Sequence, residues 1–466
     1  MKTRYSYSFC SFYSFLVLLG AAGVQAEPAE GAPDSVETGD ARSPATGMSN
    51  LDTAPAPPAF RPQPAPGFAP TSPRRDFINI SAIGTFAVGG STEKDLGTMQ
   101  PGGHDPGRRG FNLQGLELDV RGNVDPYFRA QANLVFDFTD EVHADAVEIE
   151  EAFVETLALP ANLQVRAGQF FTEFGRFNTK HLHFWDFVDQ PLVINRMFGP
   201  DGMRNPGARV SVLLDTPFYS ELFLTAQQST GEHAYSFRND EGFMDSHVLF
   251  RPARVDTERG EEIRGLDDLL YTARYISSWD LTETQTVLAG TSASFGPNAS
   301  TQDTNVPRDA DPADQETITG SSAGRTEIYG VDFYWKWLPV DQVKGFPFVS
   351  LQTEGLLRRF EMRDPTETFE DYGVYVETLY GFTPGWVAGL RYDGVRGDMR
   401  KAVDRDSQSL ALTNRTRISP NLTYYPSEFS KLRLQYNYDD RSGFGKDHSV
   451  WLQWEFSLGP HGAHPY

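Results

Sequence analysis

The segment KLRLQYNYD at residues 431–439 alternates between apolar and polar side chains, with Leu434 on the apolar side and Gln435 on the polar side. Successive side chains of a β-strand point to opposite faces, so the pattern predicts a strand with one apolar and one polar face. The segments VWLQWEFSL (450–458) and FRAQANLVFDF (128–138) repeat it. A chain built from many such segments must form a sheet whose two faces meet different environments.

Sixteen segments of this kind follow one another from residue 77 onward. Short turns alternate with long loops between them, as expected for a membrane barrel with tight turns on one rim and long loops on the other. The predicted strands are about 77–89, 110–122, 126–138, 147–158, 162–174, 207–215, 218–229, 267–279, 282–296, 325–338, 346–360, 368–381, 385–396, 410–424, 429–440 and 447–458.

A soluble sheet also alternates, because it buries one face and wets the other. The predicted strands are longer than the 5–6 residues typical of soluble sheets and suit a tilted bilayer span. Aromatic residues such as Trp335, Trp386 and Tyr424 end many apolar faces, as in the aromatic girdles of membrane barrels. The predicted fold class is therefore all-β, a transmembrane antiparallel β-barrel of about 16 strands with an inward-folded third long loop.

The N terminus predicts export from the cytoplasm. Residues 1–26 combine early basic residues, an apolar run at 15–24 and small residues before Glu27, which predicts a signal peptide. An N-terminal membrane anchor is the alternative, but a spanning helix needs about 20 apolar residues. Residues 27–76 are rich in Pro and Ala and predict a disordered linker, and 77–466 form the barrel. The single Cys10 lies in the signal peptide, so no disulfide or thiolate site is expected.

Charge and motifs argue against other classes of protein. The net charge of −22 argues against nucleic-acid binding. The pairs Ser246-His247 and His448-Ser449 do not make a catalytic triad, so no enzyme is predicted. A surface anchor or adhesin is a further alternative, although the acidic loops 230–266 and 297–324 are typical of a solvated surface.

The third long loop, 175–206, is both aromatic and charged. Such a segment can fold inward, pack on the barrel wall and present its charges to the pore; a cap on other loops or on a neighbouring barrel is the alternative. The predicted constriction residues are Arg176, Lys180, His181, His183, Asp186, Asp189, Arg196 and Arg204.

The polar faces of the strands predict the pore lining. Basic and acidic residues are nearly balanced there, and we expect about half of them to pair across strands. The predicted lining residues are Glu117, Asp119, Arg121, Arg129, Asp137, Arg166, Arg209, Arg274, Lys336, Arg358, Arg391, Arg415, Arg417, Arg433 and Glu455, with Glu148, Glu150, Glu221, Asp332, Glu354, Asp393 and Asp439 as further acidic candidates.

Two histidine pairs offer metal-ligand chemistry. His181 and His183 stand near Asp186, and His461 stands near His464; imidazole and carboxylate groups suit Zn²⁺. Two histidines at i and i+2 fix no third ligand, so hydrogen-bonded loop histidines are expected, with no metal and no cofactor.

Five segments carry a family resemblance: GQFFTEFGRFNTKHLHFWDFVDQPLV (168–193), FGPDGMRNPGARVS (198–211), GWVAGLRYD (385–393), YPSEFSKLRLQYNYD (425–439) and HSVWLQWEFSLGPHGAHPY (448–466). The region 77–466 resembles sixteen-stranded outer-membrane porins, including the phosphate-selective porins. It more closely resembles a group labelled zinc-regulated TonB-dependent outer-membrane receptor. The resemblance implies a cell outer-membrane location, the lipid bilayer and the barrel-assembly machinery as partners, and a homotrimer.

The expected function is an outer-membrane channel for passive diffusion of small polar solutes or ions. A specific uptake channel or receptor for phosphate or a metal such as zinc is the alternative. Phosphate-selective porins line their pores with many basic residues, whereas lysines are few in this chain. Acidic clusters at 303–314 and 261–262 predict near neutrality or a weak preference for cations.

Overall fold

The computed structural model describes residues 78–99, 102–136, 147–238, 263–298, 324–363, 366–398 and 413–459. The predicted signal peptide and linker lie outside these ranges. So do Asp137, both histidines of the 461/464 pair and the acidic clusters at 303–314 and 261–262.

Sixteen antiparallel strands form one closed barrel, in which each strand pairs with its sequence neighbours and the first pairs with the last. This confirms the predicted all-β class and the antiparallel barrel of about 16 strands. The strands are β1 (Asn79–Ser91), β2 (Gly110–Asn123), β3 (Phe128–Phe136), β4 (Val147–Thr156), β5 (Leu163–Phe171), β6 (Arg204–Leu213), β7 (Tyr219–Gln228), β8 (Leu269–Thr282), β9 (Gln285–Pro297), β10 (Arg325–Trp337), β11 (Phe348–Arg363), β12 (Thr366–Thr383), β13 (Trp386–Gly397), β14 (Arg415–Ser427), β15 (Ser430–Arg441) and β16 (Gly445–Leu458).

The barrel is apolar outside and polar inside. On β15 Leu434 is 51% exposed, whereas its neighbour Gln435 is fully buried; on β16 Trp454 is 50% exposed and Gln453 2% exposed. A soluble barrel places its apolar side chains inside. The reverse arrangement suits a barrel whose outer face meets lipid.

One stretch between two strands lies inside the barrel. Residues 172–203, here called the inward segment, connect β5 to β6 and contain a 3₁₀ turn at Leu182–Phe184 and helix α1 (Leu192–Phe198). Every residue of α1 is buried. Among the described residues, no helix has the length and apolar character needed to cross a membrane.

Apolar packing holds α1 against the wall. Val193 and Met197 are fully buried in a cluster that includes Leu356 on β11 and Tyr375 on β12. Gly373 on β12 permits this approach, because a Cβ atom there would lie 2.8 Å from Cγ2 of Val193. The segment therefore packs in the lumen as a second layer.

Candidate functional site

The carboxylate of Asp189 joins the inward segment to the barrel wall. Its carboxylate accepts hydrogen bonds from Arg391 on β13 (2.6 Å) and from Arg417 on β14 (2.7 Å). Gln435 and Asn437 on β15 each donate at 2.9 Å. Burial raises the pKa of Asp189, but Arg417 and Arg391 outweigh burial and lower it to about 2. Asp189 therefore stays ionised and joins the segment to three adjacent strands.

A second ion cluster fixes the end of α1. Arg196 donates from Nε to Asp371 on β12 at 2.9 Å, and Arg358 on β11 donates to the same carboxylate at 2.7 Å. Arg358 also donates to the carbonyl of Arg196 at 2.9 Å. All three side chains are buried. Arg196 thus faces the wall, and its charge is not presented to an open passage.

Wall side chains also bind the backbone of the inward segment. Lys431 donates to the carbonyl of His183, and Arg433 donates to the carbonyl of Trp185, both at 2.8 Å. The carboxylate of Glu354 accepts from the Phe177 amide at 2.6 Å. Backbone without regular pairing must satisfy its polar groups elsewhere. These polar wall residues make an irregular segment stable inside the barrel.

The two histidines form a cluster with carboxylates of β2 and β4. His181 Nδ1 is 2.6 Å from Glu150 and 3.4 Å from Glu117, and its Nε2 is 3.0 Å from Glu151. His183 Nδ1 is 2.7 Å from the other oxygen of Glu117. Burial lowers the pKa of His181, but Glu150 and Glu117 outweigh it and hold that pKa well above its usual range.

Other charges of the segment border a polar cavity. Lys180 Nζ lies 3.5 Å from Asp186, and both side chains are partly exposed. Arg176 donates to Gln352 at 2.8 Å, and its guanidinium lies 4.1 Å from the ring centre of Tyr334. The same cavity is lined by Phe348, Glu377, Val387, Tyr425 and Lys431. Phe348 and Val387 lie at the starts of β11 and β13, and Tyr425 lies near the end of β14. These strand ends face the rim of short turns, so the cavity lies toward that rim.

Nearly all predicted basic lining residues form ion pairs. Nine of the eleven do so, and Lys336 and Arg433 are the other two. The partners of Arg121 and Arg391 lie on the same strand as the arginine, so these two are not the cross-strand pairs that the sequence led us to expect. The pairs are Arg121–Asp119, Arg129–Glu155, Arg166–Glu155, Arg209–Glu173, Arg274–Asp332, Arg358–Asp371, Arg391–Asp393, Arg415–Asp439 and Arg417–Asp439.

Several predicted residues have different surroundings from those expected. Arg204 begins β6 and is fully buried against Glu148 and Glu150, so it is a wall residue and not part of the loop. Lys336 lies 5.8 Å from the ring centre of Phe348, beside the polar cavity. Glu455 pairs with Lys431 at 2.8 Å.

Several residues of the site were missed, among them Lys431, Asp371 and His104. Lys431 and Asp371 occupy interior positions of β15 and β12, so the two-residue period could have identified them. His104, in the loop between β1 and β2, is buried beside Glu150, and no local pattern in the sequence points to it.

Comparison with known proteins agrees with the fold. No family model matches the chain. A protein of Aquifex aeolicus (strain VF5), described as uncharacterized, is 29% identical over 424 residues, covering 85% of this chain and 82% of that protein. The structure of Pseudomonas putida OprB at high pH matches 82% of this chain and 94% of its own with a TM-score of 0.51 and 11% identity.

The anion-selective porin from Comamonas acidovorans matches 82% of this chain and 100% of its own, with a TM-score of 0.50 and 10% identity. Identities this low show the fold alone. The chain has the fold of a porin-type β-barrel. Its grouping with phosphate-selective porins or with zinc-regulated receptors stays a prediction.

Proposed function

We propose that this chain is an outer-membrane channel for passive diffusion of small polar solutes or ions, with the inward segment as its constriction. The observation that carries the proposal is the closed barrel, apolar outside and polar inside, with residues 172–203 bound to the lumen wall. An apolar outer face requires lipid, and a polar interior offers water and solutes a path that lipid does not.

The narrowest part of the path is proposed to lie at the polar cavity. Lys180, Arg176 and Lys431 border it together with Asp186 and Glu377. Charges act strongly on solutes where few waters screen them. Because both signs are present, we expect weak selectivity between cations and anions. A strong anion preference with block by phosphate would instead support a phosphate-selective channel.

Planar-bilayer recording tests the proposal. Mature protein refolded into detergent should give discrete conductance steps, and liposomes that contain it should release small sugars and ions. Folded protein that inserts but passes neither ions nor sugars would contradict a channel and would favour a surface anchor. Chemical crosslinking in detergent tests the homotrimer that the family resemblance implies.

A disulfide tests the position of the inward segment. The double variant Val193→Cys/Gly373→Cys should crosslink under mild oxidation in the membrane. A Cβ added at Gly373 would lie 2.8 Å from Cγ2 of Val193, and a disulfide requires two cysteines in such close approach. The matched control is Val193→Cys/Gly355→Cys, in which the second position lies next to Val331 at 3.8 Å and away from α1. Equal crosslinking of both pairs would contradict the observed packing.

A further inference from the structure

The histidine–carboxylate cluster has the geometry of an ion site. Side chains of the inward segment, β2 and β4 bring His181, Glu117 and Glu150 together, with one ligand atom of each within 4.8 Å of the others. All three are buried, at 7%, 5% and 3% exposure. The sequence led us to expect no metal because the histidines fixed no third ligand. The folded barrel supplies two further ligands, Glu117 and Glu150.

A cation bound to His181 would replace the proton that Nδ1 shares with Glu150 at 2.6 Å. Nε2 of His181 lies 3.0 Å from Glu151, which itself accepts the Phe171 amide at 3.0 Å. A carboxylate bonded to one ring nitrogen is the arrangement that orients metal-bound histidines. With the proton on Nε2, the lone pair of Nδ1 faces two carboxylates. The negative charges of Glu117 and Glu150 cannot stay this close in a buried site without a proton or a metal ion between them.

An independent observation comes from the loop between β1 and β2. Nε2 of His104 is buried, has no hydrogen-bond partner and lies 3.9 Å from Glu150. A small cavity beside it is lined by His104, Glu117 and Glu150. A buried nitrogen without a hydrogen-bond partner is costly, and a metal ion bound beside it would satisfy it.

The charge balance favours a cation. With neutral histidines, the carboxylates of Glu117, Glu150 and Glu151 carry three negative charges. Arg204 Nη1 lies 3.2 Å from Glu150, but the guanidinium is also bound to Glu148, so these four carboxylates exceed it by three charges. A divalent cation would remove most of this excess without protonating either histidine.

We propose that His181 Nδ1, Glu117 and Glu150 bind a divalent transition-metal ion of the Zn²⁺ class. Imidazole with carboxylate selects Zn²⁺ over Mg²⁺ or Ca²⁺, which take oxygen ligands. Zn²⁺ bonds of about 2.0–2.1 Å place tetrahedral ligand atoms about 3.3 Å apart. His181 Nδ1 and Glu117 Oε1 are 3.4 Å apart, whereas His181 Nδ1 and Glu150 Oε2 are 2.6 Å apart, a hydrogen-bond distance. The second pair would move apart by about 0.7 Å around a bound ion. Glu151 and His183 act as positioning residues on His181 and Glu117. Asp186, the acidic partner named from the sequence, lies at the polar cavity instead.

Metal binding here would join the inward segment to β2 and β4, in addition to the Asp189 anchor on β13, β14 and β15. The proposal goes beyond the channel function and does not depend on conduction. Its test therefore uses binding alone, so failure of either proposal leaves the other standing.

The test is isothermal titration calorimetry, in which ZnCl₂ is titrated into the folded, EDTA-treated mature protein in detergent. Wild type should bind one Zn²⁺ per chain, and Co²⁺ at the same site should give visible absorption bands typical of tetrahedral nitrogen and oxygen ligands. Glu150→Gln and His181→Ala should each lose at least tenfold in affinity. Glu151→Gln should lose about 10–100-fold, as expected for a partner that orients a ligand.

The matched control is His448→Ala, because His448 is an exposed residue bonded to Tyr436 outside the cluster. It should bind Zn²⁺ like wild type. If His181→Ala fails to fold, the affinity of the isosteric variant Glu150→Gln still tests the metal site. A flat wild-type titration, or equal affinity in Glu150→Gln and His448→Ala, would overturn the site and leave an ion-pair anchor only.

Discussion

Oδ1 of Asp189 and Nη2 of Arg391 lie 2.6 Å apart, and both side chains are buried between the inward segment and β13. Removing one partner of a buried ion pair costs about 3–5 kcal/mol, because the other charge stays buried. Asp189→Asn should therefore lower the thermal midpoint in detergent and speed tryptic cleavage within 172–203. Asp341→Asn, at an exposed turn, is the control and should change neither.

The Asp189 anchor also has a defined pH dependence. A carboxyl whose folded pKa is lowered stabilises the protein fully above its unfolded pKa, about 3.9, and loses this contribution as the pH falls through the folded value. The folded pKa of Asp189 is about 2. The stability difference between wild type and Asp189→Asn should stay constant from pH 5 to pH 8 and shrink below about pH 4. A difference that varies between pH 5 and pH 8 would show that another group controls the contact.

The sequence was sufficient to predict the barrel, because alternation along each strand reports which face meets lipid. The same two-residue alternation predicted that Arg391, Arg417 and Arg433 face the barrel interior. It could not show that they bind the inward segment, because those contacts join residues more than 200 positions apart. The histidine–carboxylate cluster was missed because Glu117 and Glu150 are on separate strands and meet His181 only when the inward segment packs against β2 and β4.

The outer face provides a test of lipid contact. Leu434 is 51% exposed on the outside of β15, where a basic residue near the bilayer midplane costs about 2–4 kcal/mol. Leu434→Arg should lower the free energy of unfolding in lipid vesicles by that amount. Leu266→Arg, at a 76% exposed loop position, should cost little. Equal effects of the two substitutions would argue against a lipid-facing β15.

Ion selectivity should respond at the polar cavity. Lys180 borders it, so Lys180→Glu should shift the reversal potential in a salt gradient toward cations. Lys94→Glu, on an exposed loop, is the charge-matched control. A larger shift from Lys94→Glu would place the selective region at the mouth. Arg196 is unsuitable for this test, because Arg196→Glu would set an acid against buried Asp371.

The central claim is that residues 172–203 restrict the passage through the barrel. Single-channel conductance tests it most directly, comparing the parent with a variant in which 178–198 is replaced by a short Gly-Ser linker and whose far-UV spectrum still shows a β-barrel. Removing α1 and the Asp189 and Arg196 anchors opens the lumen, so the account predicts a several-fold rise in conductance. Equal single-channel conductance of the folded parent and the folded variant would contradict this claim.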